Sequence, residues 1–191
     1  MDNINTVIET LNNNKFLNKS AKEAIMYIIN DMHKKGYLND FNTLNNKLIN
    51  LQIYEGNLKN NTIEYQNGKI IIDPNQAKYY DHKLALTSTV IEMLRKNSDK
   101  NQITEPISLG FNESYAISLV GIEGKARYEE EQVISRMLGK MIGVDNLFDI
   151  YFNGNMTTDL PKILLEMGCL EEDVKDLLQM IYENYQAKEI K

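Results

Sequence analysis

Thr62-Ile63-Glu64-Tyr65-Gln66-Asn67-Gly68-Lys69-Ile70-Ile71-Ile72-Asp73 is the stretch that decides the fold class. β-Branched and aromatic residues on either side of Gln66-Asn67-Gly68 favour extended backbone, and an Asn-Gly pair tolerates the positive φ of a tight turn. The pattern predicts a β-hairpin over 62–73, stopped by Pro74. On both sides of it the apolar residues fall into a helical rhythm. The chain therefore reads as α+β, mostly helical, with one small β element.

Upstream, Ser20 is placed to cap a helix in which Ala24, Ile25, Ile28, Ile29 and Met32 recur at helical spacing. Gly36 stands behind its basic last turn, His33-Lys34-Lys35. Asp40 is placed to cap a second helix with Leu44, Leu48, Ile49 and Leu51 on its apolar side. Residues 54–61 read as a loop, the boundary of an N-terminal helical subregion spanning 1–55. Downstream, a helix over 76–96 buries Leu84, Val90, Ile91 and Leu94, and a polar connection over 97–105 follows. Asn112 is the expected N-cap of a short helix carrying Tyr115, Ala116, Leu119 and Val120. Val133, Ile134, Met137, Leu138, Met141 and Ile142 make the most regular apolar face, expected to be a core helix stopped by Gly143. One further helix follows Thr157 and Thr158 through Glu166. Another, over 171–186, carries Val174, Leu177, Leu178, Ile181 and Tyr185 on one face and Glu171, Glu172 and Asp173 at its positive end.

With 191 residues, 42% hydrophobic and 25% charged, the chain is long enough to bury one real core, and a single domain over 1–191 is expected. Its net charge of -6 and pI near 5.1, with Lys and Arg dispersed among acids, speak against nucleic acid as a general partner. No run approaches the roughly 20 apolar residues of a membrane span, and no basic start precedes an apolar stretch. The expectation is a cytoplasmic protein without membrane attachment. Cys169 is the only cysteine, which rules out an intrachain disulfide and a cysteine-based zinc cluster. The Asn runs, such as Asn12-Asn13-Asn14, read as caps and turns or as compositional bias.

Candidate chemistry is sparse. The chain has two histidines, His33 and His82. His33 sits in a basic helix end, where a structural or exposed role is expected. Gly121-Ile122-Glu123-Gly124-Lys125 lacks the spacing of a phosphate loop, with Ala126 where Ser or Thr belongs. The acids after Cys169 disfavour a thiolate, and Tyr128-Glu129-Glu130-Glu131 reads as a first helical turn rather than a cation site. No spacing singles out a carboxylate pair for glycoside hydrolysis.

The hairpin, the helix opening with His82-Lys83-Leu84-Ala85-Leu86, and the later Gly110-Phe111-Asn112-Glu113-Ser114-Tyr115-Ala116 resemble, in that order, a family of zinc metallopeptidases of Gram-positive bacteria, zincins of the gluzincin type. The similarity runs roughly over 62–165, through Tyr128, Glu131 and the Ile134/Leu138/Ile142-Gly143 helix to Leu147 and Phe152. The resemblance implies a zincin-like core with the hairpin beside the former active-site helix. It also implies a C-terminal helical subdomain, with 166–191 as the C-terminal helix. The family pattern is HExxH on the first helix and a Glu ligand on the second. Carried over, His82 falls on the first ligand and Glu113 on the third, and the two are expected to face one cavity. Lys83 stands where the general base belongs, and Leu86 where the second His belongs. Leu has no lone pair for a metal, and a charged Lys neither accepts a proton nor favours a nearby dication. One imidazole and one carboxylate fall short of the three protein ligands of a catalytic zinc. No catalytic residue, no metal and no cofactor are expected.

The resulting expectation is a catalytically inactive zincin-like protein, a pseudo-metallopeptidase that binds a protein or peptide, with the strand over 69–73 as the pairing edge. Two alternatives stand beside it: a divergent active metallopeptidase with unusual ligands, and a purely structural or assembly protein. Glu113 also has a plain reading as an acid at a helix start. His82 and Glu113 have another as a hydrogen-bonded polar pair.

Overall fold

The computed structural model describes residues 3–77, 81–95, 103–122 and 124–182. It is mostly helical with one three-stranded sheet. The chain divides into two compact units, Met1–Arg95 with Tyr115–Arg127, and Lys96–Ser114 with Tyr128–Lys191. The expected subregions 1–55, 62–165 and 166–191 do not follow this division, because the chain passes from the second unit to the first inside helix α6 (Glu105–Val120).

The first unit begins with α1 (Ile4–Asn13), α2 (Lys19–Lys34) and α3 (Phe41–Leu48). Asn18 rather than Ser20 caps α2, its side chain accepting from the Ala21 amide at 2.8 Å, because Ser20 already lies in the first turn. Gly36 ends α2 as expected, at φ +77°, where the Tyr37 amide reaches back to the Met32 carbonyl. Asp40 caps α3 through the Thr43 amide. Leu44 and Leu48 are buried, whereas Ile49 is 55% exposed. Between α1 and α3 lies Asn14, itself buried. Its amide donates to the Leu48 and Leu51 carbonyls at 2.8 and 3.1 Å, and its oxygen accepts from the Phe16 and Leu17 amides at 2.8 and 2.9 Å. All four hydrogen-bonding positions of that side chain are in use.

The hairpin forms as read: β2 (Ile63–Gln66) and β3 (Lys69–Ile72) pair antiparallel with Gln66 opposite Lys69. Asn67 and Gly68 take φ of 49° and 77°, the two positive values that a two-residue turn of this hand requires. A third strand, β1 (Gln52–Glu55), lies just after the expected helix and overlaps the expected loop at Tyr54 and Glu55. It pairs parallel with β3, giving the order β1-β3-β2. Strand β3 is thus central, and the expectation that 69–73 offers a free edge is corrected: the edges are β1 and β2. The backbone groups of β3 are paired by two neighbouring strands, and the pairing with β1 is a long-range one that local spacing does not reveal.

Asp73 closes the sheet. Its carboxylate accepts from the Leu58 and Asn75 amides, both at 3.0 Å. Those bonds, Leu58's foremost, hold its pKa below the ordinary carboxylate value. The helix expected over 76–96 is observed as α4 (Pro74–Ala77) and α5 (His82–Leu94), with 78–80 and 96 outside the described residues. Helix α5 packs on β2 and α2. Its interior face is broad: Leu84, Ala85, Val90, Ile91, Met93 and Leu94 are all buried, and Thr87, Ser88 and Thr89 with them. The hydroxyls of Thr87 and Thr89 donate to the carbonyls of Lys83 and Ala85, so burial leaves neither unpaired. Tyr115 donates to the Asp31 carboxylate, which also pairs with Lys35 at 3.0 Å. Burial first, and Asp31 second, push the phenol pKa up.

The second unit holds α7 (Gln132–Ile142), α8 (Val144–Asn153), α9 (Met156–Glu166) and α10 (Glu171–Ile181). Most of the expected connection over 97–105 lies outside the described residues, as does Tyr185. Helix α9 starts earlier than Thr157, capped by Asn155. Helix α10 buries Val174, Leu178 and Ile181 as expected. Helix α7 is turned away from the expected orientation: it buries Gln132, Ser135, Leu138, Gly139 and Ile142. Val133, Met137 and Met141 stay 58%, 42% and 38% exposed. One residue is about 100° of helix rotation, so the apolar set covers two adjoining stripes and only the Leu138/Ile142 stripe goes inside. Gln132 is drawn inward by a hydrogen bond described below, and Gly139 packs beside Val144, where an added Cβ would make only ordinary van der Waals contact at 3.4 Å.

Candidate functional site

Helix α5 begins where Asp81 turns the chain, with its carboxylate on the Leu84 amide at 2.7 Å and its own amide donating to the Lys125 carbonyl. Asp81 is therefore an N-cap. His82, the first helical residue, is exposed. Lys83 and Leu86, one turn apart, line a cavity of about 320 Å³ in the first unit. Its walls are Ala21, Ala24, Ile25 and Ile28 of α2, Thr87 and Val90 of α5, Ile53 of β1, and Leu119 and Val120 of α6. Tyr27, 57% exposed, also borders it. His82 is not among the lining residues.

The cavity is apolar for a reason legible residue by residue. The Thr87 hydroxyl is spent on the Lys83 carbonyl at 2.8 Å, and the interior turns of α2 and α5 that wall the cavity use their backbone groups internally. That leaves the ammonium of Lys83 and the phenol of Tyr27 as its polar side-chain groups. Lys83 is exposed and makes no ion pair with a described carboxylate, so its aliphatic stem borders the cavity while its head meets water.

Gly110-Phe111-Asn112-Glu113 sits in the second unit, in the interior of α6, not at a helix start. The expected N-cap at Asn112 is corrected: the helix begins at Glu105, so an acid at Glu113 owes nothing to a helix N-terminus. Each residue of the string has a packing task. A Cβ on Gly110 would lie 2.7 Å from the Glu131 carbonyl carbon and Cβ, so glycine permits the approach of the turn before α7. Phe111 stacks on Tyr151 with ring centroids 4.9 Å apart. Asn112, fully buried, accepts the Tyr151 hydroxyl at 2.7 Å. Glu113, also 0% exposed, accepts the Tyr128 amide at 3.0 Å and the side-chain amide of Gln132. Arg136 donates in turn to the Gln132 carbonyl oxygen. Guanidinium, amide and carboxylate form a line, and Gln132 is buried because it is the middle member.

These placements do not fit a zinc ion. Glu113 already has two donors on one oxygen, Lys83 and Leu86 border apolar space, and His82 faces solvent. Among the described residues, no three His, Cys, Asp or Glu side chains gather closely enough to hold a metal. The acids Glu129, Glu130 and Glu131 lie in the turn before α7, and Cys169 is half-buried after α9. No described helix is long and apolar enough to cross a membrane. Sequence reading missed the cavity because Ile53 belongs to the strand it did not find. It also placed Ala24 on the same apolar face as Ile25 and Ile28, which are buried, whereas Ala24 is exposed. The signal available was the pair of alanines, Ala21 and Ala24, whose small side chains leave room on α2.

Compared with known proteins, the chain matches no family model, no curated protein and no solved structure.

Proposed function

We propose that the chain is a catalytically inactive, zincin-like protein, a pseudo-metallopeptidase that acts by binding an extended protein or peptide segment. The observation that carries this reading is the environment of Lys83 and Leu86. The two residues aligned with the base and second imidazole of HExxH border one apolar cavity, together with Ile53 of the edge strand β1. An edge strand offers main-chain hydrogen bonds to an extended segment, and an adjoining apolar cavity accepts one of its side chains. Nucleic acid and membrane are not partners in this reading.

The test is a titration of the ¹⁵N-labelled protein with short apolar peptides, alongside a peptidase assay with and without chelator. Amide shifts grouped on Gln52–Glu55, Leu86 and Val90, without chelator-sensitive hydrolysis, are expected. Hydrolysis abolished by chelator would establish the active-metallopeptidase alternative instead. Peptides that shift no amide of this group would leave the structural or assembly role.

A further inference from the structure

Six features decide what the cavity prefers. Leu86, Val90, Ile53 and Ile28 make its walls aliphatic, Lys83 puts one cation on its border, and the Thr87 hydroxyl is already used. At about 320 Å³ it is at the small end of ligand-sized cavities, room for one or two side chains rather than a length of chain. Ala24, Ile25 and Ile28 lie in the interior of α2, and Leu86, Thr87 and Val90 in the interior of α5, where backbone groups bond within the helix and offer little to a passing peptide bond. A peptide interior laid across it would leave the ammonium opposite neutral amides.

We infer that the cavity takes an aliphatic group whose carboxylate meets Lys83, namely the C-terminal residue of a bound chain. The aliphatic side chain enters between Leu86 and Val90, and the terminal carboxylate stays at the border, where water and the ammonium both reach it. This inference rests on the peptide-binding reading and narrows it to chain ends. Nothing covalent is involved. Recognition divides into an apolar part, worth about a fourfold gain in affinity per methylene buried, and an ionic part limited by the exposure of Lys83 to no more than about fivefold.

The experiment uses the full chain and three probes: an acetylated pentapeptide of threonine and valine ending in leucine as the free acid, the same peptide as the C-terminal amide, and octanoate. Binding is read from the amide shifts of Leu86, Val90 and Ile53. The free acid is expected to bind about three- to fivefold more tightly than the amide at low salt. Raising the ionic strength to about 1 M should erase the difference. Lys83→Gln should bring the acid down to the affinity of the amide and leave the amide unchanged. Ala24→Leu, at an exposed helical position on the cavity wall, should weaken both peptides, which tests the cavity without relying on Lys83. Equal binding of acid and amide would overturn the chain-end inference while leaving peptide binding intact. Binding of octanoate alone, dependent on Lys83, would keep the carboxylate chemistry and overturn the peptide reading. Silence from all three probes would overturn both.

Discussion

Replacing Glu113 by alanine isolates what that residue does. The carboxylate is fully buried and accepts from the Tyr128 amide at 3.0 Å and from the Gln132 side chain. Alanine leaves both donors inside the second unit without an acceptor. Each orphaned donor costs about 1–3 kcal/mol, so the change should destabilise that unit by about 2–6 kcal/mol, before any cavity contribution. Glu113→Gln retains one oxygen of similar reach for both donors and should cost less, about 1 kcal/mol. Urea unfolding followed by far-UV circular dichroism reads the loss as a lower midpoint at unchanged slope. If the two units unfold separately, the transition of the second should move and that of the first should not. Amide exchange at Tyr128 supplies a local readout, slow in wild type and fast in the alanine variant. A Glu113→Ala protein within about 0.5 kcal/mol of wild type would refute the packing role, as would a Gln variant no better than Ala.

Four further substitutions test the rest of the frame. Gly110→Ala should destabilise by about 1–3 kcal/mol in thermal melts because its Cβ meets the Glu131 backbone. Gly68→Ala, with nothing within 4 Å, should lose only the cost of its φ of +77°, about 1–2 kcal/mol, and an equal loss at Gly110 and Gly68 with no structural shift at Glu131 would contradict the close approach. Asn14→Asp removes both donors to Leu48 and Leu51 and places a carboxylate against their carbonyls, so chemical denaturation should show a loss of at least about 2 kcal/mol; a neutral result would mean the clamp is unimportant. Asp73 has a folded pKa below its unfolded value, so its stabilisation is complete above about pH 4 and is lost as pH falls through the folded pKa. Asp73→Asn should flatten the pH dependence of unfolding in that acid range, and an unchanged slope would argue that the carboxylate is not held by Leu58 and Asn75.

Local chemistry made part of this fold readable. Asn67-Gly68 specified the hairpin, Asp40 its helix cap and Gly36 a helix end, because each acts through neighbours a few residues away. The missed pieces depend on distant partners. Strand β1 acquires its identity from β3, and Asn14 looked like one of a run of turn-forming asparagines although its partners are Leu48 and Leu51. Helix α7 has two apolar stripes, and spacing alone does not choose between them. Of the candidate site, that a charged Lys83 offers no base and Leu86 no metal ligand was plain from residue chemistry. The interior position of Glu113 was not, since Asn112 suits a cap as well as it suits a hydrogen bond to Tyr151.

Strand β1 has a second consequence, which concerns self-association. Strand β3 carries Ile70, Ile71 and Ile72 in succession, a short segment without proline and with strong extended preference. The hairpin protects one side of it, and only four residues of β1 cover the other. Detaching β1 bares a row of unpaired amides and carbonyls along an isoleucine strand, the template on which like segments of other molecules pair. Substitutions that loosen β1, such as a proline at Ile53, should therefore show themselves first as loss of solubility on concentration, while the helices keep their circular dichroism.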